Sequence, residues 1–402
     1  MKCMDSGRDP RALARSLGEL PQPDQIAQAA SDALTAMIRD EIEKAGGVIT
    51  FAHFMGLALY APGLGYYSGG SRKFGEGGDF ITAPELSPLF SRCVARQCAQ
   101  ILEQLAAGDL LEFGAGSGVM AADILSELER LERLPEHYFI MELSGDLRQR
   151  QRDTLNDRVP HLLERVIWLD ALPGSFHGVV LGNEVLDAMP VHRFVIANGT
   201  AREIGVTWHE GRFADAVLTE SAPEVTAALS ELLDGMPLVD GYQSEINIAA
   251  QEWIATLATL LEKGAILLID YGFPRQEYYH PQRSAGTLMC HYRHRAHTDP
   301  YLFVGLQDIT AHVDFTAVAE AAHRQGMHVA GYTTQANFLI ATGLLEMAAE
   351  PREVREQMVC VNQIKRLIQA EEMGELFKVI ALTAGIDGTL AGFGMRDDRR
   401  RL

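Results

Sequence analysis

Positive charge is scarce in this 402-residue chain: 35 Lys and Arg stand against 54 Asp and Glu, a formal net charge of −19. Binding to a nucleic-acid backbone needs a basic surface, so no nucleic-acid partner is expected, and a basic protein or peptide is the more natural one. Cysteine is also sparse. Cys3, Cys93, Cys98, Cys290 and Cys360 show neither C-x-x-C spacing nor Cys/His pairs at metal-ligand distances, which argues against a disulfide framework and against a metal site. Cys93 and Cys98, on an apolar helix, read as buried hydrophobes. No apolar run approaches the ~20 residues that cross a bilayer, and residues 1–25 lack the apolar centre of a secretion signal. These absences point to a cytoplasmic, globular protein without membrane insertion. Its 47% hydrophobic content suits one large α/β core with additions, or two cores.

The most informative stretch is Leu110-Leu111-Glu112-Phe113-Gly114-Ala115-Gly116-Ser117-Gly118, an apolar strand ending in an acid, then three alternating glycines, then a helix-like run. Such glycines permit positive φ and let a ligand approach the main chain. A dinucleotide turn needs G-x-G-x-x-G, but Val119 holds the third position and the glycine comes one residue early, at Gly118. Glu112 would repel a diphosphate. It suits a ligand with a cationic amino group and a sulfonium, such as S-adenosylmethionine (SAM). A dinucleotide-dependent oxidoreductase is thereby disfavoured, though still an alternative, as is a plain tight turn.

From residue 109 strands and helices alternate, which predicts an α/β fold with a parallel sheet covered on both faces. Seven strands are expected at 109–113, 137–143, 165–169, 178–183, 265–271, 328–332 and 377–383. Between the fourth and fifth, three short segments joined by Asn198-Gly199 and Glu210-Gly211 read as an antiparallel meander inserted at about 191–220. The expected organisation is a flexible N-terminus (1–25), a helical and loop lid (26–105), the core with its insertion (106–385) and a flexible tail (386–402). In open α/β sheets, ligands sit beyond the carboxyl ends of strands. Glu142 ends the second strand, where an acid can hold both hydroxyls of a ribose. Asp170 ends the third, toward an adenine amino group, and Asn183 and Glu184 end the fourth, near a reactive methyl. Each alone reads as a solvated strand-end polar group; four consecutive strands ending this way favour one shared site.

Three longer blocks carry a family resemblance. The first is Gly65-Tyr66-Tyr67-Ser68 with the run from Phe74-Gly75-Glu76-Gly77-Gly78-Asp79-Phe80 through Thr82-Ala83-Pro84-Glu85 to Phe90. The second is Asn183-Glu184-Val185-Leu186-Asp187-Ala188-Met189-Pro190, and the third joins Ile269-Asp270-Tyr271-Gly272 to Asp308-Ile309-Thr310-Ala311-His312-Val313-Asp314-Phe315. From about residue 38 to 383 the sequence resembles the MidA-like family of class I SAM-dependent methyltransferases. That resemblance implies a Rossmann-like seven-stranded sheet, SAM as cofactor and a protein arginine N-methyltransferase, with a respiratory complex I subunit as a candidate partner. It also brings Thr82, Pro84 and Glu85 into the cofactor set beside Glu112, Gly114, Gly116, Gly118, Glu142, Asp170 and Asn183. Val185-Leu186 stands where an aromatic residue is common in the family, a difference that bears on the acceptor pocket.

Methyl transfer from a sulfonium needs positioning and electrostatics rather than a covalent nucleophile. A planar guanidinium can be held by carboxylates while one nitrogen stays free for the methyl. Glu184 and Asp187 are the leading pair, with Asp79 and Glu85 next; helix capping is an equal reading of Asp187. His192 and His312 are candidate proton acceptors, although His312 with Asp314 also reads as a helix cap. Tyr66, Tyr67 and Phe80 either roof the sulfonium or pack helices. His291, His294 and His297 lack a fourth ligand and read as a loop toward substrate. Two alternatives stay open: a SAM-binding assembly factor without catalysis, and a methyltransferase acting on a small molecule.

Overall fold

The computed structural model describes residues 20–69, 82–105, 107–351 and 353–402. These form two compact units, each built from several stretches of chain. One holds the described residues before 80 with 187–250 and 276–312, and the other those of 81–186 with 251–275 and 313–402.

The second unit is a seven-stranded sheet: β1 (Asp109–Phe113), β2 (Tyr138–Met141), β3 (Val166–Leu169), β4 (Phe176–Asn183), β5 (Leu261–Phe273), β6 (His328–Thr334) and β7 (Phe377–Ala384). Their order is β6-β7-β5-β4-β1-β2-β3, with a two-residue strand, Val313–Asp314, beside the end of β5. All seven strands expected from the sequence are present. One expectation needs correction: the sheet is mixed, because β7 runs antiparallel to both β5 and β6. The helices Gln335–Ala341, Leu344–Ala348 and Val354–Ile368 return the chain to the end where β6 stopped, and Ala336 N donates to Gly374 O there. A strand entering from that end must run the opposite way.

Reversal of winding puts β1 between β4 and β2, so the carboxyl ends of β1 and β4 flank a topological switch point, where open α/β sheets bind ligands. Continuous apolar runs keep these central strands buried on both faces. Leu110, Leu111, Val179, Val180, Ala265 and Ile266 are wholly buried.

The helix Pro88–Leu105, expected in the lid, contributes Phe90, Cys93, Val94, Cys98 and Ile101 to this unit's core. The expected lid region is therefore divided between the two units. Residues 386–402, expected as a flexible tail, are anchored at Leu390, Phe393 and Asp398. Phe393 is buried with its ring 5.7 Å from that of Phe338, and Asp398 N donates to Tyr332 O at 2.7 Å on the edge strand β6. A buried aromatic anchor and backbone groups that satisfy a sheet edge outweigh the polar composition of the end.

In the first unit, Asp24 caps the helix Gln25–Lys44 and Thr50 caps Phe51–Tyr60. The meander expected at about 191–220 is His192–Ala197, Thr200–His209 and Arg212–Val217, antiparallel throughout and extended by Gln243–Ile246 and Ile49–Thr50. Phe54, Phe213 and Tyr301 form its aromatic centre with edge-on contacts of 5.3 and 5.2 Å from Phe54.

Candidate cofactor site

The turn after β1 is built by left-handed backbone. Gly114, Gly116 and Gly118 have φ of +68°, +51° and +83°, values that L side chains rarely adopt. The three positions differ in surroundings. A Cβ on Gly114 would lie 2.9 Å from Val185 Cγ2, one on Gly118 would lie 3.0 Å from Gln151 Cα, and one on Gly116 would meet nothing within 4 Å. Gly118 is thus required by the approach of the helix Gly145–Arg158, whereas Gly116 faces open space. The displaced third glycine, anomalous for a dinucleotide turn, is explained by that helix contact. Gly118 also begins the helix Val119–Arg130.

Glu112 sits two residues before the turn, only 2% exposed, and accepts a 2.8 Å hydrogen bond from the Tyr138 hydroxyl on β2. Burial pushes its pKa up to about 7, against the opposing effect of that bond.

At the end of β2, Glu142 Oε1 accepts from Ser144 N at 2.8 Å and Oε2 from Gln151 Nε2 at 3.2 Å. Each carboxylate oxygen keeps capacity for a further donor. The neighbouring Leu143 is 79% exposed, an apolar surface suited to a purine ring. Asp170, at the end of β3, has a side chain 87% exposed and pairs with Arg148 at 2.7 Å; Arg148 also donates to the carbonyls of Glu142 and Leu169. Arg148, Gln151 and Leu143 carried no sequence signal beyond ordinary helix and strand-end residues.

At the end of β4, Asn183 Nδ2 donates to Glu184 Oε1 at 3.0 Å, while Asn183 Oδ1 is buried without a partner among the described residues. Glu184 takes φ of +54°, rare for a residue with a side chain, and its N–H donates to Ile269 O at 2.9 Å. The bend is fixed from β5, where buried Asp270 accepts from Leu186 N at 2.9 Å. Glu85 reaches the glycine turn through a hydrogen bond from Ser117. It lies in the short helix Ala83–Leu86, which follows Thr82 and contains buried Pro84.

Asp79 and Phe80 lie outside the described residues. Asp187 and His192 belong to the other unit. There His192 Nδ1 is paired with buried Glu203 on the neighbouring strand at 2.7 Å. Tyr66 is buried, and Tyr67 donates to Asp308 at 2.9 Å. Asp314 caps the helix Phe315–Arg324, accepting from Thr316 N and Ala317 N. Among the described residues, no group of three or more His, Cys, Asp or Glu is arranged to hold a metal.

Residues 93–333 match the family described as "Putative S-adenosyl-L-methionine-dependent methyltransferase". The chain belongs to this family. A Burkholderia thailandensis protein crystallised with S-adenosyl-homocysteine is 48% identical, with a TM-score of 0.92 over 96% of this chain and 100% of that one. Curated relatives named protein arginine methyltransferase NDUFAF7, mitochondrial, are more distant. The Homo sapiens protein is 28% identical over 88% of this chain and 84% of its own, and the Drosophila melanogaster homolog 26% over 92% and 89%.

As in the family, the fold is the Rossmann-like class I arrangement and the cofactor is SAM. The residues present fit that cofactor. The turn leaves open space at Gly116, Asn183 offers a buried acceptor without a partner among the described residues, and Glu142 retains acceptor capacity for a diol.

Proposed function

We propose that this SAM-dependent methyltransferase is a protein arginine N-methyltransferase. The observation that carries the reading is Glu184, a carboxylate held in left-handed backbone at the end of β4, beside the buried acceptor of Asn183. Backbone strain of this kind costs on the order of 1–3 kcal/mol and persists where surrounding contacts enforce it. Here the Ile269 carbonyl and the Asp270 carboxylate do so.

In this reading Glu142 receives the ribose hydroxyls, Leu143 covers the adenine, and Asp170 with Arg148 shapes the end of that subsite. Asn183 accepts from the cofactor's amino group, and Gly116 gives main-chain access. When bound, SAM supplies an activated methyl group on a sulfonium. Glu184 accepts hydrogen bonds from the acceptor guanidinium, orients its free nitrogen, and lies ready for the proton that the methylated group sheds. The names of the curated relatives and the surplus of acidic residues support a basic protein segment as acceptor. The family resemblance makes a respiratory complex I subunit the first partner to test.

The test is transfer from isotopically labelled SAM to arginine-containing peptides and to matched peptides with lysine at the same position, read by mass spectrometry. Label on arginine, lost in Glu184→Gln, supports the proposal. Transfer confined to lysine or small molecules overturns it, and SAM binding with no transfer to any acceptor would favour the non-catalytic assembly factor.

A further inference from the structure

We infer that Gln151 is a positioning residue that sets the ribose-binding carboxylate against the glycine turn; this rests on the reading of Glu142 given above. Gln151 lies mid-helix in Gly145–Arg158, where a glutamine ordinarily faces water, yet it is wholly buried. Trp168 on β3 donates its indole N–H to Gln151 Oε1 at 2.8 Å. An indole nitrogen only donates, so this bond fixes which end of the amide is oxygen. The amide nitrogen then faces two acceptors, Gly116 O and Glu142 Oε2, each at 3.2 Å. Both N–H groups and the carbonyl are used, so one side chain ties together the segments that follow β1 and β2 and the strand β3.

The backbone of the same residue is part of the device. A Cβ on Gly118 would come within 3.0 Å of Gln151 Cα, so turn and helix touch at this point. No other natural side chain of this size offers two donors and one acceptor in a plane. Glutamate would set a carboxylate oxygen against a carbonyl and another carboxylate, and leucine would leave all three partners without the bond. Glu142 would then lose one of its two fixing donors and gain rotational freedom, with the ribose contact weakened in consequence.

The experiment is a double-mutant cycle on S-adenosyl-homocysteine affinity, measured calorimetrically for the full chain, Gln151→Leu, Glu142→Ala and the pair. Thermal unfolding without ligand reports on folding. Gln151→Leu is expected to weaken binding about tenfold, the net worth of one charge-assisted hydrogen bond. In the Glu142→Ala background the same change is expected to cost less than about threefold, because coupled residues are non-additive. An unchanged affinity in Gln151→Leu, or an equal loss in both backgrounds, overturns the positioning role. If Glu142→Ala binds normally, the reading of Glu142 fails, and the inference with it. Should Gln151→Leu not fold, Trp168→Phe frees the amide to flip. A fall in affinity that again vanishes in the Glu142→Ala background supports the inference, and an unchanged affinity overturns it.

Discussion

Tyr138 donates its hydroxyl to Glu112 at 2.8 Å between adjacent strands, two residues before the glycine turn begins. Burial outweighs this bond and raises the Glu112 pKa from 4.5 to about 7. Between those values the folded chain keeps a proton that the unfolded chain has released. The contribution is full below pH 4.5 and is lost as pH rises to about 7, an amount on the order of 3 kcal/mol. Urea unfolding at pH 5 and pH 8 should show this loss in the native chain and a reduced one in Glu112→Gln. Equal pH dependence in the two would refute the assignment.

Gly116 and Gly118 should respond differently to alanine. Gly116→Ala carries the left-handed backbone cost, about 1–2 kcal/mol, and fills space open to the cofactor. Gly118→Ala adds a clash with the main chain of Gln151. The expected pattern is a small fall in unfolding free energy with a large loss of SAM affinity for Gly116→Ala, and a larger fall in stability for Gly118→Ala. Denaturant midpoints and calorimetry on the same samples check it; a greater stability loss at Gly116 would contradict it.

Glu184 separates stability from chemistry. Glycine at this position relieves the positive φ, so Glu184→Gly should raise stability by up to about 1 kcal/mol while transfer fails. Glu184→Gln should keep S-adenosyl-homocysteine affinity within about threefold and lower kcat by about a hundredfold or more. Loss of cofactor affinity without loss of kcat would move Glu184 from acceptor to cofactor binding.

The first unit depends on a buried ion pair. Arg193 is almost wholly buried, bonds Asp215 through two nitrogens at 2.7 and 3.2 Å, and lies over the ring of Phe51. Tyr301 donates to the same carboxylate. Removing one member of such a pair leaves a buried charge uncompensated, so Asp215→Ala should cost about 3–5 kcal/mol. A denaturant midpoint shift worth under about 1 kcal/mol would show the pair to be dispensable.

The glycine turn and the acids at successive strand ends were legible in the sequence because each depends on local chemistry. Positive φ selects glycine, buried strands select apolar runs, and a strand end exposes its next polar residue. Gln151 was illegible for the opposite reason. A glutamine within Arg150-Gln151-Arg152 has the composition of a solvated helix face, and only the approach of β3 and the turn makes it interior. The partner of His192 was equally illegible: Glu203 reaches it from the neighbouring strand, a pairing set by the meander's register.

By itself the sequence determined the seven strands, the glycine turn and the family, because periodicity, φ and motif spacing are properties of contiguous residues. Tertiary structure alone decided the reversed β7, the packed C-terminal end, the burial of Glu112 and the strained bend at Glu184. Each depends on partners far away along the chain, such as Gly374, Phe338, Tyr138 and Ile269, which no local pattern specifies.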